Sequence, residues 1–563
     1  MAIKSTADKV ATLQKGYTFE GPTIELGAAI IDGEVHKEAP VRLPLSMMNR
    51  HGLVAGATGT GKTVTLHMMA EQLSAAGVPV FLADIKGDLS GLATAATGSE
   101  KLMERTAGIG QPWDGKTFPV EFLALGGDGN GIPVRATITS FGPILLSRIM
   151  ELNDTQESSL QLVFHFADKN DLELIDLKDL RAVIQFLTSA EGKDELKELG
   201  GLSKSTAGVI LRELITLEAQ GMEKFFGEPE FDTAELMRTA PDGRGVITCL
   251  ELPTLQTKPM LFSTFLMWLL ADLFEDLPEA GDLDKPKLVF FLDEAHLLFN
   301  DASKAFLDAI TTTVRLIRSK GVGIFFVTQT PKDVPAEVLG QLANRVQHAL
   351  RAYTPEDAKA LRATVSTFPM SDYDLEETLT SAGIGEAVIT VMNENGAPTP
   401  VALTRLRAPE SVMGPSADAL ISSTVAGSAL LPKYGTAVDN VSAYEKISGK
   451  AAADTGAAAP APAPRGSSDV DAEARRIEEE ILGRPSSRPA PASGRQESSQ
   501  EPRQSPRQPQ RQPADDGGMA GDLAGALGGA LGGGLKSMAR SLGTQLGREL
   551  LRGVFGTAPK RRR

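Results

Sequence analysis

Residues 56–63 read Gly-Ala-Thr-Gly-Thr-Gly-Lys-Thr, a complete G-x-x-x-x-G-K-[ST] pattern, and they dictate what must surround them. The four residues ahead, Gly52-Leu53-Val54-Ala55, form a short apolar strand, and 64–73 carry apolar residues at helical spacing. Strand, glycine turn and helix therefore come in order. Glycines let backbone N–H groups curl round phosphate oxygens, and the new helix points its positive end at them. Lys62 supplies a mobile charge and the Thr63 hydroxyl a ligand for Mg²⁺. The expected cradle comprises Gly56, Ala57, Thr58, Gly59, Thr60, Gly61, Lys62, Thr63 and Val64, and its expected ligand is a nucleoside triphosphate, ATP, with Mg²⁺.

Such a loop needs a parallel sheet behind it and carboxylates beside it. A second core strand at 78–83 ends at Asp84 and runs into Ile85-Lys86-Gly87-Asp88. Ligands gather at the carboxyl ends of parallel strands, so Asp84, Lys86 and Asp88 belong either to the nucleotide site or its border, or to a polar exit loop capping the next helix. The sheet resumes at 245–250. After a long helix at about 258–277, the run Leu288-Val289-Phe290-Phe291-Leu292 leads into Asp293-Glu294-Ala295-His296. A continuous apolar run implies burial on both faces, and Asp-Glu at its end is the Walker B pattern. Asp293 is expected to hold Mg²⁺ together with Thr63, and Glu294 to polarise the attacking water as general base. A further strand, 323–329, ends in Gln329, which is expected to touch the γ-phosphate from between the two strands already named. Charge on that phosphate requires an arginine, often from a neighbouring subunit. Arg345, Arg318 and Arg315 are the candidates, in that order.

The rest of the chain divides by pattern. Residues 1–50 read as a preamble with short strands and a turn at Asp32-Gly33. Residues 51–91 and 245–410 carry the sheet, and 92–244 read as an inserted, mainly helical subdomain, with a strand-like, glycine-interrupted stretch at 119–139 and apolar periodicity at 144–152, 155–167, 177–187 and 205–217. Strands at 386–392 and 399–405 flank Asn393-Glu394-Asn395-Gly396 as a hairpin, and 411–450 form an extension. From 451 to 534 the chain is rich in Ala, Pro, Gly, Ser and Arg, cannot bury a core, and is expected to be disordered. Residues 535–563 suggest a basic amphipathic helix, suited to an anionic membrane surface, a nucleic-acid backbone or a partner groove.

Composition narrows the setting. A single cysteine, Cys249, excludes an internal disulfide and a cysteine zinc site, which fits a cytoplasmic protein. No apolar run approaches the roughly 20 residues that span a bilayer. From 451 onward there are 17 Lys+Arg against 13 Asp+Glu, leaving 40 against 59, net −19, in residues 1–450. An acidic body argues against wholesale nucleic-acid binding, although a ring can confine its basic residues to a channel.

Taken together, Asn49-Arg50-His51-Gly52-Leu53 before the phosphate loop, Asp84-Ile85-Lys86-Gly87-Asp88, Asp293-Glu294-Ala295-His296, Thr328-Gln329 and Asn344-Arg345 resemble the HerA/FtsK superfamily of P-loop ATPases, and more closely the bacterial HerA-like YjgR family. The resemblance covers about residues 20–420. It implies a RecA-like (ASCE) α/β P-loop NTPase with a parallel central sheet, a large mainly helical insertion and a disordered C-terminal tail. It also implies a homo-oligomeric ring, a hexamer, with nucleotide at subunit interfaces and arginine supplied in trans. HerA relatives translocate on DNA with a nuclease partner, so a DNA motor is the first expectation. The alternative is an ATPase that remodels or assembles protein complexes, possibly at a membrane, without DNA. Only about fifty residues precede the phosphate loop, where HerA carries a β-barrel.

Overall fold

A computed structural model of the chain describes residues 5–454, apart from 128, 198–199, 253–258, 282 and 301–303. The strands in it are β1 (Thr23–Ile31), β2 (Glu34–Pro44), β3 (Gly52–Ala55), β4 (Val80–Asp84), β5 (Val120–Leu125), β6 (Ile132–Val134), β7 (Ile247–Glu251), β8 (Leu288–Leu292), β9 (Val322–Thr328), β10 (Asn344–His348), β11 (Glu386–Thr390) and β12 (Ala402–Leu406). All join one sheet in the order β2-β1-β12-β11-β10-β3-β9-β8-β4-β7-β5-β6. From β10 to β6 every neighbouring pair is parallel, and from β10 to β2 every pair is antiparallel. The strand carrying the phosphate loop, β3, thus lies near the middle, with β9 between it and β8.

The apolar runs explain the parallel half. In β8, Leu288, Phe290 and Leu292 face one core while Val289 and Phe291 face the other, and β4 and β9 alternate in the same way. Burial on both faces leaves no polar side to the strand, as expected for a sheet covered by helices on both sides. The helix Lys62–Ala75 packs Leu66, Met69 and Leu73 on one face. The helices Asp154–Lys169, Leu177–Thr188, Lys204–Ala219 and Pro259–Asp276 fill the other. The first two have starts that are fixed locally: Asn153 and Asp176 each close a capping box with the residue three positions on.

Within that second core Trp268 is fully buried, with Phe225 and Phe265 rings centred 6.0 and 6.1 Å away, and its indole N–H has no hydrogen-bond partner. Trp268→Ala is therefore expected to cost about 3–5 kcal/mol in urea unfolding. Trp268→Phe removes the unpaired N–H with most of the ring kept, and is expected to cost less than half as much. Equal losses from the two would show that ring packing is not what stabilises this core.

Three expectations need correcting. The sheet does not stop across 92–244: the strand-like, glycine-interrupted stretch at 119–139 supplies β5 and β6, which extend the sheet beyond β7. The preamble is no set of short strands: β1 and β2 have 9 and 11 residues and form a hairpin whose Asp32 (φ 52°) and Gly33 (φ 86°) take the left-handed turn geometry favoured between twisted strands. They come after an unforeseen helix, Thr6–Gly16, capped by Ser5 and Asp8. Positions 451–454 end the helix Ala443–Asp454. The remainder of the expected disordered linker and the C-terminal helix lie outside the described residues. No described helix is long and apolar enough to cross a membrane.

Candidate nucleotide site

The phosphate loop leaves β3 at Ala55 and is tied to both neighbouring strands. Gly56 N–H donates to Thr328 O at the end of β9 (3.2 Å), and Ala57 N–H to Ala349 O just past β10 (2.9 Å). Gly59 (φ 78°) and Gly61 (φ 111°) adopt left-handed backbone that an L side chain resists. Gly61 caps the helix with no side-chain hydrogen bond, so the amides of the first turn have no capping acceptor and face outward as an anion site. Lys62 Nζ reaches back to Gly56 O (2.8 Å) and Ala57 O (3.3 Å), spanning the loop. Burial lowers the Lys62 pKa, opposed by the carboxylates of Glu294 and Asp293.

A residue with no signature in the sequence supports the loop from beneath. His348, buried at the end of β10, donates from Nδ1 to Thr60 O (3.1 Å), leaving Nε2 to accept from the Thr65 hydroxyl (2.9 Å). The His348 Cβ also lies against Gly56, where an added Cβ would come within 2.4 Å of it. Burial, with Lys62 nearby, pushes the imidazole pKa down to about 4, so the ring is neutral, as its acceptor role requires. The Gly385 N–H also bonds Thr60 O (3.1 Å).

Past β8 stand the two acidic residues. Asp293 is buried; burial lifts its pKa to about 6 despite the Glu294 N–H donated to Oδ1 (2.9 Å). Glu294 has a left-handed backbone (φ 46°), rare for a side chain of its size. Burial raises its pKa, but its contact with the Lys86 ammonium more than offsets this, so the net shift is downward. His296 Nδ1 lies 3.3 Å from the other carboxylate oxygen. Of the Asp84–Asp88 alternatives both hold in part. Asp84 serves its own loop, accepting from Gly87 N–H (2.7 Å) and Leu89 N–H (3.0 Å), while Lys86 enters the site. Gln329 is exposed immediately after β9, the intervening strand, and Thr328 beside it donates to Asp333 (2.8 Å).

The arginines are not gathered at this loop. Arg345 sits on β10 opposite Leu53, and its guanidinium bonds Thr367. Arg318 and Arg315 lie near the turn that feeds the start of β9, at the far end of the parallel strands.

The sequence model described as "Helicase HerA-like C-terminal" matches residues 30–563. The chain belongs to that family. It is a P-loop ATPase of the HerA/FtsK superfamily. The DNA double-strand break repair helicase HerA of Saccharolobus solfataricus is 23% identical over 373 residues, 64% of this chain and 66% of that protein, so the chain spans a little under two thirds of this relative's length. Among solved structures, the plasmid coupling protein TrwB in complex with ADP and Mg²⁺ is 16% identical with a TM-score of 0.45, covering 70% of this chain and 98% of that one. VirB4 of Thermoanaerobacter pseudethanolicus is 15% identical with a TM-score of 0.43, covering 69% and 97%.

In this HerA-like chain the donor set suits a phosphate-bound Mg²⁺ better than a metal held by protein alone. Among the described residues no group of three or more His, Cys, Asp or Glu side chains gathers to hold a metal ion. Mg²⁺ keeps several waters and takes one or two protein oxygens beside substrate phosphates, a requirement that Thr63 and Asp293 would meet. Open first-turn amides, a lysine across the loop and a paired carboxylate two strands away can together bind a triphosphate and activate water.

Proposed function

We propose that this HerA-like ATPase couples Mg²⁺-dependent ATP hydrolysis to movement along double-stranded DNA, as a cytoplasmic homo-hexamer. The observation that carries the catalytic part is the strand order: β9 alone separates the phosphate loop from β8, so Asp293 and Glu294 end beside Lys62. Bound Mg²⁺ would supply charge neutralisation at the phosphates. Lys62 and the amides of 56–64 hold the phosphate chain, with Thr63 and Asp293 offering oxygens to the ion. Glu294 takes the proton of the attacking water, and Gln329, at the tip of β9, reports the γ-phosphate. Arg345 or Arg318 serves the site of a neighbouring subunit; the distance of Arg318 from its own loop supports supply in trans. The DNA part rests on family membership and on the relative named as a DNA repair helicase. A nuclease or other protein is the proposed partner.

A second reading, an ATPase acting on protein complexes, has one observation in its favour: the net −19 over residues 1–450. Steady-state ATP hydrolysis with and without double-stranded DNA, at low and moderate salt, separates the two. A DNA motor is expected to be stimulated severalfold, with stimulation fading as salt rises because phosphate contacts release counterions. Mg²⁺-dependent turnover that Lys62→Ala abolishes, yet that DNA leaves unchanged, would sink the DNA reading and keep the protein one.

A further inference from the structure

We infer that Lys86 is a positioning residue for Glu294: its ammonium, delivered by the loop after β4, holds the carboxylate that activates water. This rests on the hydrolytic reading above and adds a residue to it. β4 is the neighbour of β8 on the side away from the phosphate loop, so the carboxyl ends of the two strands open next to each other. The loop between Asp84 and Leu89 is not free to wander. Asp84 is buried and accepts two of the loop's own N–H groups, at Gly87 and Leu89, and Gly87 turns with φ 74°. Lys86 stands at the apex of this pinned loop and places Nζ on Glu294 Oε1.

Glu294 needs such a partner. Its backbone is left-handed and its side chain is only 11% exposed, so the carboxylate must be held by a neighbour rather than by water. One oxygen is taken by Lys86. The other, Oε2, is buried without a hydrogen bond, with His296 Nδ1 3.3 Å away, so among the described residues nothing but Lys86 fixes the carboxylate's orientation. Lys86 thus sets the orientation in which the carboxylate meets a water. Its own side chain is 48% exposed, so the loop's outer face is open to whatever binds there, and a shift of that face moves the carboxylate.

The test uses the full chain and five proteins: native, Lys86→Met, Lys86→Arg, Glu294→Gln, and Lys86→Met combined with Glu294→Gln. Lys86→Met is expected to lower kcat by about 10–100-fold with KM and the affinity for fluorescent ADP changed less than about threefold. Lys86→Arg, which keeps the ion pair, is expected to recover most of the rate. In the Glu294→Gln background the methionine is expected to lower neither the residual rate nor ATP affinity further, because a residue acting through another has nothing left to act on. An unchanged kcat overturns the assignment. So does a roughly tenfold loss of ATP affinity in the Glu294→Gln background, which would mean that Lys86 grips the phosphate itself. If Lys86→Met does not fold, Lys86→Arg at less than about a tenth of the native rate also overturns it. Absence of any turnover in the native chain would instead sink the ATPase reading, and this inference with it.

Discussion

Glu294→Gln is expected to lower ATP turnover by roughly 10²–10⁴-fold while leaving nucleotide affinity within about threefold. The amide matches the carboxylate in size, so β8 and the left-handed turn after Asp293 keep their geometry. What disappears is the basic oxygen. Glu294 stays ionised at neutral pH because Lys86, His296 and Lys62 oppose the effect of burial, and only the ionised form can take a proton from water. Phosphate release under saturating ATP gives the first number, and titration with fluorescent ADP the second. A variant that keeps more than about a tenth of native turnover would remove Glu294 from the base role and direct attention to another group. A variant that loses binding as well would mean that the residue organises the loop rather than the reaction.

The two largest features of the site were open to sequence reading because each is a contiguous pattern. The glycines and lysine of 56–63 must curl round something, and the apolar run before Asp293 can only be a doubly buried strand. The position of β9 between them is not legible in the pattern itself; it is expected only from the strand order of P-loop ATPases, which the sheet follows here. What escaped is what tertiary structure alone brings together. His348 bonds Thr60, 288 positions away, and nothing local marks it as the support of the loop. Lys86 was visible as a loop residue but not as the partner of Glu294, 208 positions on. The stretch that forms β5 and β6 was legible as strand, but not as part of the central sheet, because the pairing of β5 with β7 joins residues more than a hundred positions apart. The arginine candidates stand apart for a different reason: a residue proposed to serve a neighbouring subunit need have no partner at its own chain's loop, so nothing local ranks Arg345, Arg318 and Arg315.

His348 gives the second large effect, and pH exposes it. His348→Ala removes the hydrogen bonds at Thr60 and Thr65 and empties the space of the buried ring while keeping the Cβ beside Gly56, so it is expected to cost about 2–4 kcal/mol of stability and at least about tenfold in nucleotide affinity. His348→Gln isolates the titration, since glutamine can donate and accept but carries no proton in this range. The folded pKa of about 4 lies below the ordinary 6.5. Between those values the unfolded chain binds a proton that the native chain does not, so native stability is full above pH 6.5 and falls as pH drops towards 4, by up to about 3 kcal/mol from this group. The overall curve does not isolate it: His51 and His67, also pushed to about 4 by burial, act in the same sense. Glu71, raised by burial to about 7, and Asp84 and Asp293, raised to about 6, act in the opposite one. The difference between native and His348→Gln cancels all five. Its expected course in urea unfolding is a native advantage that is constant from about pH 8 to 6.5 and shrinks towards about pH 4. A gap that stays flat over that range would mean that His348 takes up its proton at the same pH folded as unfolded, so that the ring is charged below about pH 6.5, which would forbid Nε2 from accepting the Thr65 hydroxyl there and undo the geometry assigned to the loop.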